Sequence, residues 1–484
     1  MKLESATAWS FLPIATLSVL SVVTVPVYYH SLGPELYALW FAVQTMTGTF
    51  GFMDLGLGVA TGRYVGVALG RGDYAGARET WASGNLLNLV VLFLTAVLFG
   101  VVGTFFGERW FKFPSVEGPV FWQCVWWSAL ALFLNYYAQG WLVLLQAHLE
   151  FRWLALSRTV FSLMSGIGMA LAAWAFHSPL PSIVVGVVVA GLQLFFLVHR
   201  AKARHQIGFL FPLARWSRLK EMGSYTAKTF LSLLSGAAFG SLDRWFLGRV
   251  AGADSFVAYN IGSNLAARVQ GLSIAAMGPI FHSSSQGVGR GDQTRLANIY
   301  LRSFRLLVPL YFAGALWIWV WQHPWLDLWL GSEAGARVAL ALPFLVGAAS
   351  LGAIMNISGA QLGPLNLVGF GTVVQSSSWI SSGLLAWGGW NLAGLSGASA
   401  GLLLGRFVLF FQDLRVRSLI GVRLWDRRVF TLLSAILFST ALFRFIGFFV
   451  TGDRQTHLLL SLLNLLLVAG LCWKSWRSLG DSAG

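Results

Sequence analysis

Residues 32–73 read LGPELYALWFAVQTMTGTFGFMDLGLGVATGRYVGVALGRGD, an apolar run opened by a Gly-Pro turn and closed by Gly70-Arg71-Gly72-Asp73. The closing tetrapeptide returns as Gly289-Arg290-Gly291-Asp292, 219 residues later. Without gaps, the same offset pairs Gly33 with Gly252, Glu35 with Asp254, Tyr37 with Phe256 and Trp40 with Tyr259. A single register held over about forty residues marks an internal duplication, and such a repeat frames every later reading of the chain.

The chain around this segment is strongly apolar. Of 484 residues, 56% are hydrophobic and 11% charged, whereas soluble domains carry about 25% charged residues. A water-soluble fold is excluded. Apolar stretches near the ~20 residues that a membrane helix needs predict fourteen spans: 8–30, 36–60, 82–106, 119–146, 158–177, 181–199, 223–247, 255–281, 303–323, 336–360, 367–388, 394–412, 429–449 and 456–473. The first is too long for the apolar core of a signal peptide and lacks a small-residue cleavage site, so it is expected to be retained.

Lysine and arginine resist translocation, whereas acids contribute little to orientation. With the N-terminus inside, and with Arg158, Arg305 and Arg337 at span ends counted with the loops they adjoin, 23 of the 33 basic residues fall on the cytoplasmic side, 5 outside and 5 within spans. The acids, 9 inside, 7 outside and 2 in spans, show no such bias. Both termini are therefore expected in the cytoplasm. The net charge of +15 and pI near 10.3 report orientation in a bilayer and not a nucleic-acid partner. Residues 199–220, HRAKARHQIGFLFPLARWSRLK, form the longest cytoplasmic connection and read as a topological stop between two halves.

The two repeat copies open the second and eighth spans. Six spans separate them, an even number, so the halves keep one orientation and are expected to be related by a pseudo-two-fold axis along the membrane normal. The expected fold is an all-α integral membrane bundle of about 14 transmembrane helices: an N-terminal lobe 1–206, a basic cytoplasmic linker 207–222, a C-terminal lobe 223–412 and two extra spans in 413–484. Parallel six-helix lobes suit alternating access to a midplane site. Cys124 and Cys472 fall on opposite membrane faces in this topology and are not expected to pair.

Leu32-Gly33-Pro34-Glu35, Asp54-Leu55-Gly56-Leu57-Gly58, Arg63-Tyr64 and Gly70-Arg71-Gly72-Asp73 together resemble the polysaccharide biosynthesis or Wzx-type flippases. These belong to the multidrug, oligosaccharidyl-lipid and polysaccharide (MOP) exporter superfamily. The resemblance implies a MATE-like, multi-pass protein of the bacterial inner membrane. Its cargo would be an undecaprenyl-diphosphate-linked oligosaccharide, an O-antigen (lipopolysaccharide) or exopolysaccharide unit, turned toward the periplasmic leaflet. Membrane lipids, a polysaccharide polymerase and chain-length machinery are the partners it implies, with no nucleic acid.

The residues have a physical reading of their own. Gly48, Gly51, Gly56 and Gly58 predict a narrow face for close helix packing. Asp54 is a carboxylate inside a span, which is costly and functional by default; it serves either as a clamp partner of Arg63 or as a coupling-ion site. In the second half, Lys228, Asp243, Arg244, Arg268 and Arg406 all fall within spans. Arg268 lies near the middle of span eight, where a guanidinium requires a wet cavity or a partner. It is expected to face a cavity between the lobes and bind a diphosphate, because guanidinium takes phosphate oxygens in bidentate fashion and keeps its charge. Arg406 and Lys228, each within a few turns of the cytoplasmic side, either meet the substrate there or snorkel to the interface. Asp243 and Arg244, near the outer end of span seven, are expected to form local pairs and are otherwise gating or ion-coupling candidates.

No catalytic residue, metal ligand or cofactor is expected. The chain has no Gly-Lys-Ser or Gly-Lys-Thr string, so direct ATP hydrolysis through a phosphate-binding loop is excluded. All eight histidines lie at or beyond span ends, against a haem bundle or an acyltransferase with a buried histidine. A glycan polymerase or ligase needs acid and base groups on a substantial external loop; the longest here is GERWFKFPSVEG, residues 107–118. Among transporters, a drug or metabolite exporter and a peptidoglycan lipid-precursor flippase are the alternatives. A cavity that looks basic favours an anionic cargo over a cationic drug.

Overall fold

A computed structural model describes residues 3–50, 57–111, 118–148, 150–205, 207, 211–223, 240–289, 292–422, 427–449 and 454–481. The chain is an all-helical, multi-pass membrane protein. Nine helices among the described residues are long and apolar enough to cross a bilayer, and one of these, Val368–Ile420, contains both arms of a hairpin. The chain divides into two compact units, Met1–Val257 and Ala258–Gly484.

Helix α1 (Leu3–Phe50) is broken at Gly33, whose φ of 69° and ψ of 173° leave the helical region. Glycine tolerates positive φ, and the following Pro34 disfavours a helical residue before it while suiting the start of the next helix. Tyr28 packs against Tyr37 and Trp40 across the break, with ring centroids 5.9 and 5.1 Å apart. Helix α2 (Leu57–Gly70) ends in a turn where Asp73 N donates to the Ala68 carbonyl and Gly72 has positive φ. Helix α3 (Tyr74–Val102) then continues through a wide turn at Gly103–Gly107 and a short helical turn at Glu108–Trp110. A side chain at Gly103 or Gly107 would collide with Met46.

Helices α4 (Gly118–Ala147), α5 (Phe151–Phe176) and α6 (Pro179–His205) complete the first bundle. Its core is built on Trp141, fully buried and edge-on to Trp81 at 4.8 Å, with Tyr137, Leu142, Leu145 and Leu197 around it. The expected narrow glycine face is not found at Gly48, which faces open space; Gly51 and Gly56 lie outside the described residues. Close approach occurs instead at Gly62 against Val143 and at Gly84 against Thr61. The linker is docked: Arg215 N donates to Ser83 Oγ at 2.8 Å, and Arg215 and Arg218 pair with Glu79 on α3 at 3.0 and 3.3 Å.

Helices α7 (Leu242–Val250) and α8 (Ala253–Gly289) lead to α9 (Gln293–Leu330). One capping hydrogen bond is common to the two repeat copies, at the starts of α3 and α9. Asp73 Oδ1 accepts from Gly76 N at 2.8 Å, and Asp292 Oδ1 accepts from Arg295 N at 2.8 Å. In each copy the final residue of the repeated tetrapeptide is the N-cap of the next helix. Burial repeats as well: Tyr37 and Phe256 are 2% and 0% exposed.

The single span expected at 336–360 is two helices, α10 (Ser332–Ala339) and α11 (Leu342–Leu362). Helix α12 (Val368–Arg406) folds back at Ala393 and Gly394, and a tight turn at 407–409 carries its second arm into α13 (Phe410–Ile420). This end of the bundle is locked by a buried ion pair, Asp413 with Arg417 at 2.6 Å. Tyr300 Oη donates to the same carboxylate, and the guanidinium lies over the Phe304 ring at 4.4 Å.

Helices α14 (Arg427–Phe449) and α15 (Arg454–Asp481) pack on α9. Trp317 and Trp325 donate to the carbonyl and hydroxyl of Ser461, both at 2.9 Å. The tryptophans on α9 differ in setting: Trp321 is fully buried and Trp319 is exposed. Cys124 and Cys472 are both free.

Candidate functional site

Arg268 occupies the middle of α8, fifteen residues after its start at Ala253. Neighbouring residues show which face of α8 is packed. Gly262 lies against Leu345 and Gln270 against Gly352, both on α11. Ser273 Oγ accepts from Asn356 Nδ2 at 2.8 Å, and the Val269 carbonyl accepts from Tyr311 of α9 at 3.3 Å. At about 100° per residue, these positions cluster on one side, and Arg268 falls on the opposite side with Asn264 and Gly271. Its side chain is half-buried, and its Nε is shielded from solvent with no hydrogen-bond partner among the described residues. A guanidinium so placed has unused donors aimed away from the α9–α11 packing.

The other expected site residues are scattered. Asp54 and Lys228 lie outside the described residues, and Arg63 is placed only as a backbone position within α2. Asp243 and Arg244 open α7, where a carboxylate suits the helix N-terminus. Asp243 is 9% exposed. Arg406, half-buried, ends α12, where a cation suits the helix dipole. Asp243, Arg244 and Arg406 each engage neighbours within the chain.

Sequence reasoning missed a latch in the first unit. Helix α7 is held to the ends of α1 and α3 by Trp245, whose Nε1 donates to Thr49 Oγ1 at 2.7 Å. Trp110 Nε1 donates in turn to the Trp245 carbonyl at 2.8 Å. The Trp245 ring packs on Phe111 at 5.2 Å and on Phe106 at 6.2 Å. Arg249 Nη1 donates to the Arg109 carbonyl at 2.8 Å, its guanidinium 5.6 Å from the Trp110 ring. Gly248 makes room for Phe111, since a Cβ there would overlap the ring edge. The available signal was two tryptophans, Trp110 and Trp245, at the ends of two predicted spans.

A second polar cluster sits where α4, α5 and α6 meet. Glu150 accepts from Arg200 Nε at 3.1 Å and faces His205 Nε2 at 2.9 Å, while the His205 ring stacks on His148 at 3.9 Å. Burial and the neighbouring His205 hold the His148 imidazole below its ordinary value, against the opposing pull of Glu150. The cluster fixes a corner of the bundle. Among the described residues no group of histidine, cysteine or acidic side chains is arranged to hold a metal ion.

Residues 5–284 match the protein family described as "Polysaccharide biosynthesis protein". No curated protein matches the chain. Among solved structures it is similar to the lipid II flippase MurJ in an inward closed conformation, with a TM-score of 0.76 at 10% identity over 98% of this chain and 99% of that one. It is similar to an inward-facing multidrug resistance MATE family transporter of the MOP superfamily, with a TM-score of 0.67 at 13% identity over 86% and 98% of the two chains. A MOP superfamily transporter from Pyrococcus furiosus, described by the reverse polarity of its binding pocket, matches with a TM-score of 0.60 at 14% identity over 86% and 95%. The fold is that of flippases and MOP transporters.

Proposed function

The chain belongs to the polysaccharide biosynthesis protein family, and on that premise we propose that it flips an undecaprenyl-diphosphate-linked oligosaccharide, an O-antigen or exopolysaccharide unit, across a bacterial inner membrane. It is a transporter and not an enzyme. The observation that carries the reading of its cargo is Arg268, a mid-helix guanidinium turned away from its helix's packed face with a shielded Nε that is unpaired among the described residues. Such a group is costly in a membrane unless it meets an anion or water. A diphosphate offers several oxygens in the geometry that guanidinium binds best, and the charge does not depend on pH.

The transport cycle in this reading is alternating access by a fourteen-span protein with both termini cytoplasmic. Its lobes, 1–206 and 223–412, are related by the pseudo-two-fold axis that the duplication implies. Arg406 and Lys228 meet the headgroup on the cytoplasmic side; Asp54 with Arg63, and Asp243 with Arg244, serve gating or ion coupling. The Trp110–Trp245 latch shuts the external path and opens for release. A polymerase and chain-length machinery take the product. A second reading, a flippase for a peptidoglycan lipid precursor, is favoured by the likeness to the lipid II flippase over 98% of the chain, against 86% for the MATE transporter. It uses the same diphosphate chemistry.

Complementation of a strain lacking its glycan flippase tests the proposal. Arg268→Ala abolishes surface glycan while membrane insertion, followed by immunoblot of the membrane fraction, stays unchanged. Arg268→Lys keeps the charge, loses the planar fork and gives partial export. Normal export by Arg268→Ala removes Arg268 from the substrate path.

A further inference from the structure

The second unit has a concavity that the transport reading does not use. Near the turn of hairpin α12 the two arms touch through backbone: Gly389 lies on Gly397, Gly401 on Leu385 and Gly405 on Ser382. Ser381 and Ser382 add hydrogen bonds to the Gly405 and Leu402 carbonyls, both at 3.1 Å. Beyond Gly405 the second arm carries larger side chains, Val408 and Phe411 among them. An apolar groove of about 620 Å³ opens there, walled by Phe370, Val373, Val374, Val408, Phe411 and Leu414.

The groove is graded from end to end. Continuing the antiparallel register of the hairpin puts Arg415 and Ser418, which complete the lining, beside the first turn of α12, with Ser377 at the far end. From Val408 to Ser418 the second wall of the groove rises about 15 Å, the depth of one hydrocarbon leaflet, half of about 30 Å. Arg415 is exposed at the mouth and has no ion pair among the described residues. Asp413, two residues away, is turned to Arg417 and Tyr300. An apolar trough one leaflet deep with an unneutralised guanidinium at its wet end is complementary to one chemical class, a lipid with an anionic headgroup.

We propose that this groove binds an anionic glycerophospholipid, one acyl chain lying between Val373 and Phe411 and the phosphate resting on Arg415. The site is independent of the cargo and of Arg268. It ties the second unit to the anionic leaflet, so that α12 and α13 move with a bound lipid.

Native mass spectrometry of the delipidated, full-length protein in detergent, titrated with phosphatidylglycerol or chain-matched phosphatidylcholine, tests the site. The parent protein binds phosphatidylglycerol about fivefold more tightly, the factor that one cation at a membrane surface contributes. Arg415→Gln binds both lipids equally, and Val373→Trp, which fills the groove, weakens both. Arg302→Gln, which removes an exposed cation of α9 at the same end, keeps the preference. Arg415 and Val373 are both exposed, so neither variant disturbs the core. The proposal fails if the parent shows no preference, if the preference survives Arg415→Gln, if Val373→Trp binds as the parent does, or if Arg302→Gln loses as much. It fails equally if a long-chain polyprenyl phosphate displaces phosphatidylglycerol through Arg415, which would assign the groove to an isoprenoid carrier.

Discussion

Arg268 and Trp245 differ in how they announce themselves. A charge in the middle of an apolar run is conspicuous because its burial is expensive, so Arg268 is legible from sequence, and the structure adds the face on which it stands. Trp245 is silent, because a tryptophan at a span end looks the same whether it meets lipid headgroups or another helix. Its partners Trp110 and Thr49 lie 135 and 196 residues away in the chain. Gly248 is the lever on this latch, since any side chain there strikes Phe111. Gly248→Val should pry α7 from α3. In a background with Cys124 and Cys472 replaced by serine, a cysteine introduced by Thr49→Cys should then react several-fold faster with a membrane-impermeant maleimide. Labelling at the unchanged rate would show that the latch does not close this path.

The helices themselves were largely readable from apolar length and charge, and the exceptions have local causes. One expected span is two helices, α10 and α11, because apolar character continues through the break at Leu340 and Ala341. Helices such as α9 outrun the predicted spans because polar turns outside the bilayer stay helical, beginning at an Asp cap. The hairpin of α12 was expected as two spans, yet its backbone contact at Gly389 and Gly397 depends on register that composition does not reveal. A Cβ on Gly397 would overlap the Gly389 carbonyl oxygen, which as backbone cannot move aside. Gly397→Ala should therefore cost more than about 3 kcal/mol, in the range of severe core damage, and lower the melting temperature of the purified protein sharply. Gly388→Ala, where a Cβ meets open space, should be tolerated; similar melting of the two would refute the packing argument. The corner at His148 carries a pH dependence. Its folded pKa lies below the unfolded value of about 6.5, so the unfolded state binds the proton more readily. The stability due to neutral His148 is complete above pH ~6.5 and declines as pH falls below it toward the folded pKa. Melting curves between pH 7.5 and 5 should show a drop that His148→Gln diminishes.

At the scale of the whole chain, the repeated Gly-Arg-Gly-Asp is the feature that sequence and structure describe in the same terms. In both copies its aspartate caps a helix at 2.8 Å; Asp is among the best N-caps, and replacing one costs about 1 kcal/mol. The cargo is a property of the assembled protein and is not written in any one element. In the proposed reading, the fold is connected to a lipid-linked diphosphate by a chain that is basic overall, a transporter fold and a mid-helix guanidinium whose Nε has no partner among the described residues. Direct observation of translocation tests that connection. The purified protein is reconstituted into liposomes with a fluorescent polyprenyl-diphosphate-linked oligosaccharide, and passage between leaflets is followed by the accessibility of the glycan to an external glycosidase. The parent protein should move the glycan at a rate well above protein-free liposomes, and Arg268→Ala should fall to the protein-free rate. A parent protein that moves no glycan, or an Arg268→Ala protein that moves it as fast as the parent, would contradict the account.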